Sequence, residues 1–362
     1  MVKYTHVHTQ TNFSYIPAID GLRAVSAFLV FATHAYHDKV PGGIIGVDIF
    51  FAISGFLITS ILLREADRTG TISIRDFYMK RSLRILPAAL FFFTFVYLFA
   101  NGAMGDHGQS ASLNFAAAVF SFMNWLRAFT DYDGNYLAHS WSLSVEEQFY
   151  AIWSLVVLVL VRKGSRKTLA PILVATMALI IAWKSYLGIS GATPARILNG
   201  LDTRADAILI GALFACVPID KAVRLASRFW LIPIIGLLIV LRAADDKSND
   251  IWMFLPFFTA ISACLLLVAL GDNIIQRLLS SPLAVYFGKR SYSFYLWHYP
   301  IVAAMWGSEI RRTVWILPTF LLSLIAAELS YRFIETPFLN LRHRKAKRNI
   351  EATGAISHET PQ

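Results

Sequence analysis

The chain of 362 residues is far more apolar than a soluble domain. Hydrophobic residues make up 56% of it, charged residues make up only 15%, and the mean hydropathy is +0.54. Soluble domains carry about 25% charged residues, so this chain has too little polar surface to face water. The composition excludes a disordered protein and argues strongly against a soluble enzyme.

The charge balance is basic, with 33 Lys and Arg against 23 Asp and Glu and a net charge of +10. The basic residues concentrate in short connections between apolar stretches, which is how membrane proteins fix their topology. We therefore expect no nucleic-acid partner. Cys216 and Cys264 lie within apolar stretches and are expected to be packing residues. No metal-ligand spacing is present, so we expect no metal.

Apolar stretches recur along the chain from residue 18 to residue 333. The hydrocarbon core of a bilayer needs about 20 apolar residues per helix, and only helices or closed barrels satisfy their backbone there. These stretches are continuously apolar rather than alternating, which excludes a barrel. The sequence predicts an all-α, polytopic membrane bundle. The eleven candidate stretches are 20–37, 46–63, 85–100, 113–126, 143–161, 169–187, 205–217, 229–241, 252–270, 291–306 and 314–334.

Three basic segments predict the topology. The connection 64–84, the loop 162–168 and the tail after 341 are rich in Arg and Lys, which marks them as cytoplasmic. Three candidate stretches separate the first two segments, although an even number of crossings is required. The weakest of the three is 113–126. We therefore predict about ten transmembrane helices plus a short re-entrant segment, with both termini in the cytoplasm.

This topology divides the chain into three parts. We expect a polar N-terminal segment over 1–15, a membrane domain over 16–340, and a basic, disordered cytoplasmic tail over 341–362.

The first apolar stretch contains ionisable residues, which are costly inside a membrane and indicate function. Arg23 follows Asp20 by three residues, and His34 follows Arg23 by eleven. At about 100° per residue, eleven steps return to within about 20° of the same face. One polar stripe is therefore expected, with His34 about 16 Å deeper than Arg23. The alternative is that Arg23 reaches to the interface and a neighbouring helix satisfies His34.

A basic cluster precedes the third apolar stretch. Lys80, Arg81 and Arg84 form the pattern K-R-x-x-R, and two arginines at this spacing share a helix face. Such a pair grips a phosphate through bidentate hydrogen bonds. The alternative is that all three are plain topology charges.

Later stretches also carry polar residues. Ser142 and Glu146 are four residues apart on one helix face, and Glu146 and Glu147 are either site residues or helix-start acids. Asp206 begins a short apolar run, and His298 lies in an aromatic stretch. His298 is as readily a packed core histidine as a site residue.

Taken in order, these motifs resemble the acyltransferase 3 family, whose members are integral membrane proteins that O-acylate sugars. The resemblance covers roughly residues 15–340. Each motif is weak alone, but their order is specific. The motifs are IDGLRA at 19–24, His34, GVDIFFAISGFLI at 46–58, Arg81-x-x-Arg84, WSLSVEEQFY at 141–150, DTRADA at 202–207, SFYLWH at 293–298 and ETP at 335–337.

The resemblance implies a ten-helix core in a bacterial inner membrane. It implies acyl-CoA as the donor on the cytoplasmic side, without a resident cofactor, and a carbohydrate or lipid-linked glycan as acceptor among membrane lipid. The acyl group is most readily acetyl. Because the chain stops at residue 362, we expect no fused soluble esterase-like domain. The implied site comprises catalytic His34, Glu146 and Arg23; donor-binding Lys80, Arg81 and Arg84; and supporting Asp20, Asp48, Ser54, Ser142, Asp206 and His298.

The chemistry of O-acylation suits these residue types. A neutral imidazole such as His34 is a natural general base for a sugar hydroxyl, and an acyl-histidine intermediate is equally open. Glu146 would fix its tautomer or orient the acceptor, and Arg23 or a backbone amide near Ser54 would stabilise the oxyanion. We expect Glu146 to face the cavity that contains His34, and Glu147 to face elsewhere. The alternative function is a transporter or flippase of a lipid-linked sugar.

Overall fold

The structure is a computed structural model that describes most of the chain. The predicted N-terminal segment and C-terminal tail lie outside the described residues, apart from Tyr15 and Leu341. The described ranges are 15–103, 109–130, 136–216, 231–243, 249–268, 273–306 and 308–341.

Within these ranges the regular structure is helical and contains no strand. The α-helices, in chain order, are α1 (Pro17–Ala35), α2 (Ile45–Thr69), α3 (Ile74–Ala103), α4 (Gln109–Val119), α5 (Met123–Phe129), α6 (Trp141–Arg162), α7 (Leu169–Ile189), α8 (Pro194–Asn199), α9 (Leu201–Cys216), α10 (Leu231–Ala243), α11 (Asn249–Val268), α12 (Ile274–Leu279), α13 (Pro282–Ala303) and α14 (Arg312–Ser330). Short 3-10 turns precede α2, α6 and α7, and a π-helical turn follows α14 at Tyr331–Glu335.

Six helical stretches in the described part of the chain are long and apolar enough to cross a membrane. Shorter apolar helices, including α10 and α11, pack beside them. This architecture confirms the predicted all-α membrane bundle, whereas the number of ten crossings stays a prediction. The six stretches are Pro17–Ala35, Pro41–Thr69, Ile74–Phe99, Ala138–Arg162, Arg166–Ile189 and Arg312–Leu341.

The stretch 113–126, predicted not to span, is divided between two short helices. α4 has 11 residues and α5 has 7, well below the roughly 20 that a crossing needs. Between them Ser121 has φ 59°, a left-handed conformation that interrupts a helix. The chain therefore turns here, as the counting of basic loops requires.

Glycines bring the central helices into backbone contact. A Cβ on Gly55 of α2 would lie 1.9 Å from the carbonyl oxygen of Ile208, and one on Gly211 of α9 would lie 2.0 Å from that of Ala52. Only a residue without a side chain permits such an approach. α2 and α9 therefore pack more closely than helices separated by side chains.

Two buried ion pairs hold α2 and α7 against α9. Lys184 Nζ lies 2.7 Å from Asp206 Oδ2, and Arg204 donates to Asp48. All four side chains are at most 1% exposed. Asp48 and Asp206, expected to support the site, thus lie in ion pairs in the core between helices.

The pair between α7 and α9 has a testable energetic consequence. Lys184→Met leaves the Asp206 carboxylate buried without its cation, and we expect a loss of about 3–5 kcal/mol of unfolding free energy. The double variant Lys184→Met with Asp206→Leu removes both charges and is expected to recover most of that loss. Thermal unfolding of the purified protein in detergent measures both. A double variant no more stable than Lys184→Met would contradict this expectation.

Candidate active site

One cavity opens where α1 begins, α2 ends and α3 begins, and we call that side of the molecule the basic face. Four cationic side chains line this cavity, from α1, α2, α3 and α13: Arg23, Arg64, Arg84 and Lys289. We call it the cationic cavity.

Two acidic side chains in the cationic cavity already have partners. Asp20 lies 3.7 Å from Arg23 and accepts a hydrogen bond from Tyr15, while Glu335 accepts one from Ser293. The contacts of Asp20 are local to the start of α1, whereas the bond from Ser293 ties the π-helical turn to α13. Cations from four elements still line the cavity, which suits an anionic ligand.

The three predicted donor-binding residues are separated by the structure. Arg84 lines the cationic cavity. The Arg81 guanidinium donates to Glu147 over 3.1 and 2.9 Å and lies 3.4 Å from the centre of the Tyr150 ring. Lys80 is exposed outside the cavity lining. Only Arg84 of the three is therefore placed to meet a ligand in this cavity.

A second cavity, the apolar chamber, lies next to the cationic cavity and deeper in the bundle. Its walls come from α1, α2, α3, α4, α6 and α13 and consist mainly of apolar side chains. The two cavities adjoin, since five residues line both of them: Arg23, Leu57, Ile61, Arg84 and Tyr292.

Glu146 lies in the wall of the apolar chamber and is held by a hydroxyl. Ser54 Oγ donates to Glu146 Oε1 over 2.5 Å. One helical turn away, the hydroxyls of Ser142 and Tyr295 are 2.6 Å apart, and Tyr295 also donates to the carbonyl oxygen of His139 over 2.9 Å. The pairing of Ser142 and Glu146 on one face therefore holds.

His34 lies at the other end of α1, on the side that we call the far face. It lines a separate cavity, the far cavity, together with Thr33, His37, Trp306 and Arg312. Its Nδ1 is 3.0 Å from Nε2 of His298, and Nδ1 of His298 is 3.1 Å from the carbonyl oxygen of Phe294.

These two contacts assign the protons of the histidine pair. A carbonyl oxygen only accepts, so Nδ1 of His298 must carry a proton, and in the neutral ring Nε2 then has a lone pair. Nδ1 of His34 must therefore donate to it. The remaining nitrogen, Nε2 of His34, is left with a lone pair in a half-buried position, as a base or nucleophile requires.

The expectation that Glu146 faces the cavity of His34 was wrong. Glu146 lines the apolar chamber and His34 lines the far cavity, because the rings of Phe50, Tyr295 and His298 lie between them. The ring centres are 6.0 Å apart from Phe50 to Tyr295 and 5.6 Å from Tyr295 to His298. The partner that orients His34 is His298 instead.

Glu147 was expected to face elsewhere than the cavity that contains His34, and it does not line that cavity, but it is not separated from Glu146 as expected. Glu147 lines the apolar chamber beside Glu146, because its ion pair with Arg81 of α3 draws it toward the chamber wall. The apolar chamber is wide enough for the adjacent residues Glu146 and Glu147 of α6 both to line it.

The sequence analysis gave no role to His139, which lies among the rings that separate the apolar chamber from the far cavity. We call these rings, those of Phe50, His139, Tyr295 and His298, the histidine layer. The His139 ring is 5.8 Å from that of His298 and stacks on Tyr299 at 4.7 Å. The side chain is buried, and neither ring nitrogen has a hydrogen-bond partner in the described part of the chain. Its place two residues before the WSLSVEEQFY motif was the available signal.

The fold and site define a polytopic helical membrane protein with cavities at two faces and a layer of histidine and tyrosine between them. The chain belongs to the acyltransferase 3 family, whose acyltransferase domain model matches residues 16–331. This finding confirms the resemblance recognised in the motifs.

Curated relatives carry names of one kind. The chain is 32% identical over 344 residues to the O-acetyltransferase OatA of Staphylococcus aureus strain NCTC 8325, covering 89% of this chain and 57% of that protein. It is 30% identical over 371 residues to a protein of strain MRSA252 whose O-acetyltransferase name is provisional, covering 96% and 60%. The chain thus spans between 57% and 60% of the length of these two relatives. No solved structure matches it.

Proposed function

We propose that this protein is a membrane O-acyltransferase that moves an acyl group from acyl-CoA to a carbohydrate hydroxyl, with His34 as general base. Family membership and the names of the relatives support acyl transfer. The observation that carries the mechanism is the bond from His34 to His298, which leaves the lone pair of His34 Nε2 available in the far cavity.

The donor occupies the cationic cavity and the apolar chamber in this proposal. The nucleotide end of CoA carries several phosphate charges, and Arg84, Arg64 and Lys289 supply cations to this cavity from three helices. By the rule of positive charge inside, this basic face is the cytoplasmic one. Arg23 lies about 16 Å from His34 along α1, so we assign it to the donor rather than to the oxyanion.

The reaction at the histidine layer transfers the acyl group from the sulfur of CoA to the oxygen of the acceptor hydroxyl. His34 Nε2 takes the proton of the acceptor hydroxyl as its oxygen attacks the thioester carbonyl. The C–S bond then breaks, and the departing CoA thiolate takes that proton. In the second route His34 Nε2 attacks the thioester carbonyl and CoA leaves as the thiolate. The acceptor hydroxyl then attacks the acyl-imidazole, the bond to Nε2 breaks, and the hydroxyl proton goes to the thiolate.

The thioester must pass the closed layer to reach His34. Tyr295 forms part of this layer, and its hydroxyl is held by Ser142 and by the carbonyl of His139. Displacement of the Tyr295 ring therefore accompanies transfer in our proposal. Glu146, just inside the layer, offers its carboxylate to the N–H groups of the pantetheine arm.

Membranes that contain the full chain, incubated with radiolabelled acetyl-CoA, test the function directly. We expect label in the carbohydrate fraction and none with membranes that lack the protein. The transporter alternative draws on cavities at both faces, which suit alternating access. Movement of a lipid-linked sugar across the membrane without any label in carbohydrate would favour it and overturn the acyltransferase.

The donor site has its own test. Arg84→Ala and Lys289→Ala each remove a charged contact to phosphate, and we expect the KM for acetyl-CoA to rise about tenfold or more, with a smaller change in kcat. Lys80→Ala is the matched control, because Lys80 lies outside the cavity, and its KM should stay within about twofold. A rise in KM with Lys80→Ala alone would contradict this placement of the donor.

A further inference from the structure

The apolar chamber extends past the polar pair formed by Ser54 and Glu146. On α2, Val47 lies seven residues beyond Ser54 toward the far face, which is about 10 Å of helix. On α3, Phe93 lies nine residues beyond Arg84, or about 13 Å. Both side chains line the chamber. The chamber therefore extends beyond Ser54 and Glu146, and leaves space there that a donor with a short acetyl group would not fill.

The walls of this deep part are apolar, and two of the side chains are small. Ala89 of α3 and Ala118 of α4 are each 5% exposed and line the chamber where larger side chains would fill it. The other apolar lining residues at this depth include Val47, Ile53, Phe93 and Leu143. An alkyl chain gains free energy in such a space, whereas a charged chain end would be left without a partner.

One side of the chamber faces the surroundings of the protein. Leu86 and Leu90 of α3 line the chamber and are 45% and 43% exposed. In a bilayer that exposed surface meets hydrocarbon, so the chamber wall at α3 is one side chain thick. The end of a chain that outgrows the chamber would remain in an apolar medium.

We propose that the apolar chamber binds the acyl chain of the donor, so that the protein accepts straight acyl chains longer than acetyl and disfavours a charged chain such as succinyl. This inference rests on the proposed function, because it places the donor's phosphates in the adjoining cationic cavity. The two cavities adjoin along five shared lining residues, so a donor held by its phosphates in the cationic cavity would place its own acyl chain in the chamber.

Binding of a series of acyl-CoA donors to the purified full chain tests this, and no acceptor is required. Dissociation constants are measured for acetyl-, propionyl-, butyryl-, hexanoyl- and succinyl-CoA. Burial of each methylene is expected to tighten binding about fourfold, so hexanoyl-CoA should bind at least about 50-fold tighter than acetyl-CoA. Succinyl-CoA should bind at least about 50-fold more weakly than butyryl-CoA.

Ala89→Phe fills the chamber and is expected to reduce the ratio of acetyl to hexanoyl dissociation constants to about threefold or less. Thr94→Phe is the matched control, because it adds the same ring to an exposed position of α3 and should keep the full ratio. If Ala89→Phe fails to fold, Ala89→Leu replaces it, with the ratio expected to fall by at least about fivefold.

The outcomes separate this inference from the function on which it rests. Failure of acetyl-CoA itself to bind would overturn the proposed donor. Binding of acetyl-CoA with no gain for longer chains would overturn the chamber alone. A gain that survives Ala89→Phe, or that Thr94→Phe also abolishes, would mean that the chain lies on the outer surface, where a membrane lipid would lie, and would likewise overturn the proposal.

Discussion

His34→Ala is expected to lower the rate of acyl transfer at least about 100-fold, the lower range for a general base. The substitution removes the Nε2 lone pair that the hydrogen bond to His298 leaves available. Among the described residues, His34 is the one side chain that is hydrogen-bonded to His298, so no other side chain in the far cavity has its basic nitrogen oriented in this way. The same loss is expected if His34 carries the acyl group, because both routes begin at that nitrogen.

The measurement is transfer of label from acetyl-CoA to carbohydrate in membranes, normalised to the amount of inserted protein. Val25→Ala is the matched control on α1, since Val25 is 42% exposed on the outer side of the helix, and its rate should stay within about twofold. Transfer by His34→Ala at more than about a third of the wild-type rate would remove His34 from the mechanism.

Most helices of the fold were predictable from the sequence, because a membrane helix is marked by a continuous run of apolar residues. The predicted stretches 20–37, 143–161 and 169–187 agree closely with α1, α6 and α7, whereas α2 ends later and α3 begins earlier than their stretches, at Thr69 and Ile74. Charge counting across the membrane predicted that 113–126 does not span, but it did not predict the division into two helices at Ser121. Its left-handed backbone is set by packing around it, and a serine gives no local sign of that conformation.

The partners of the site residues were not predictable, because they come from distant parts of the chain. Arg81 is bound by Glu147, which is 66 residues away, and that contact removes Arg81 from the expected phosphate grip. Neither residue shows this in its local pattern. A basic pair at i,i+3 looks the same whether it meets a ligand or a carboxylate of another helix.

The face of a helix was predictable, but its depth relative to other helices was not. Arg23 and His34 share a stripe of α1, as periodicity requires, yet they line cavities at opposite faces. Periodicity gives the angle around one axis, and the vertical register between α1 and α6 depends on packing across the bundle. Glu146 was therefore paired with the wrong end of the stripe.

The same uncertainty of depth concealed the partner of His34. His298 lies 264 residues further along the chain in α13, where an aromatic surrounding equally suits a packed core histidine. Its ring is stacked on Phe294, with 9° between the ring planes, and this packing holds Nε2 toward His34. We therefore assign His298 as the residue that positions His34.

His298→Phe is expected to lower kcat by about 10- to 100-fold, the range for loss of a group that orients a functional histidine. Phenylalanine keeps an aromatic ring packed on Phe294, but it has no atom that accepts a hydrogen bond from Nδ1 of His34. The tautomer and ring orientation of His34 are then no longer fixed. The KM for acetyl-CoA should stay within about threefold, because the cationic cavity lies at the other end of α1.

His298→Gln separates positioning from packing. The glutamine side chain has an oxygen that accepts a hydrogen bond from Nδ1 of His34, and we expect it to restore kcat to within about tenfold of the wild type. Steady-state kinetics of both variants, with thermal unfolding as a check on folding, provide the comparison. If the phenylalanine and glutamine variants lose kcat equally, or if the donor KM rises together with the loss of kcat, His298 is a packing residue and the orientation of His34 has another source.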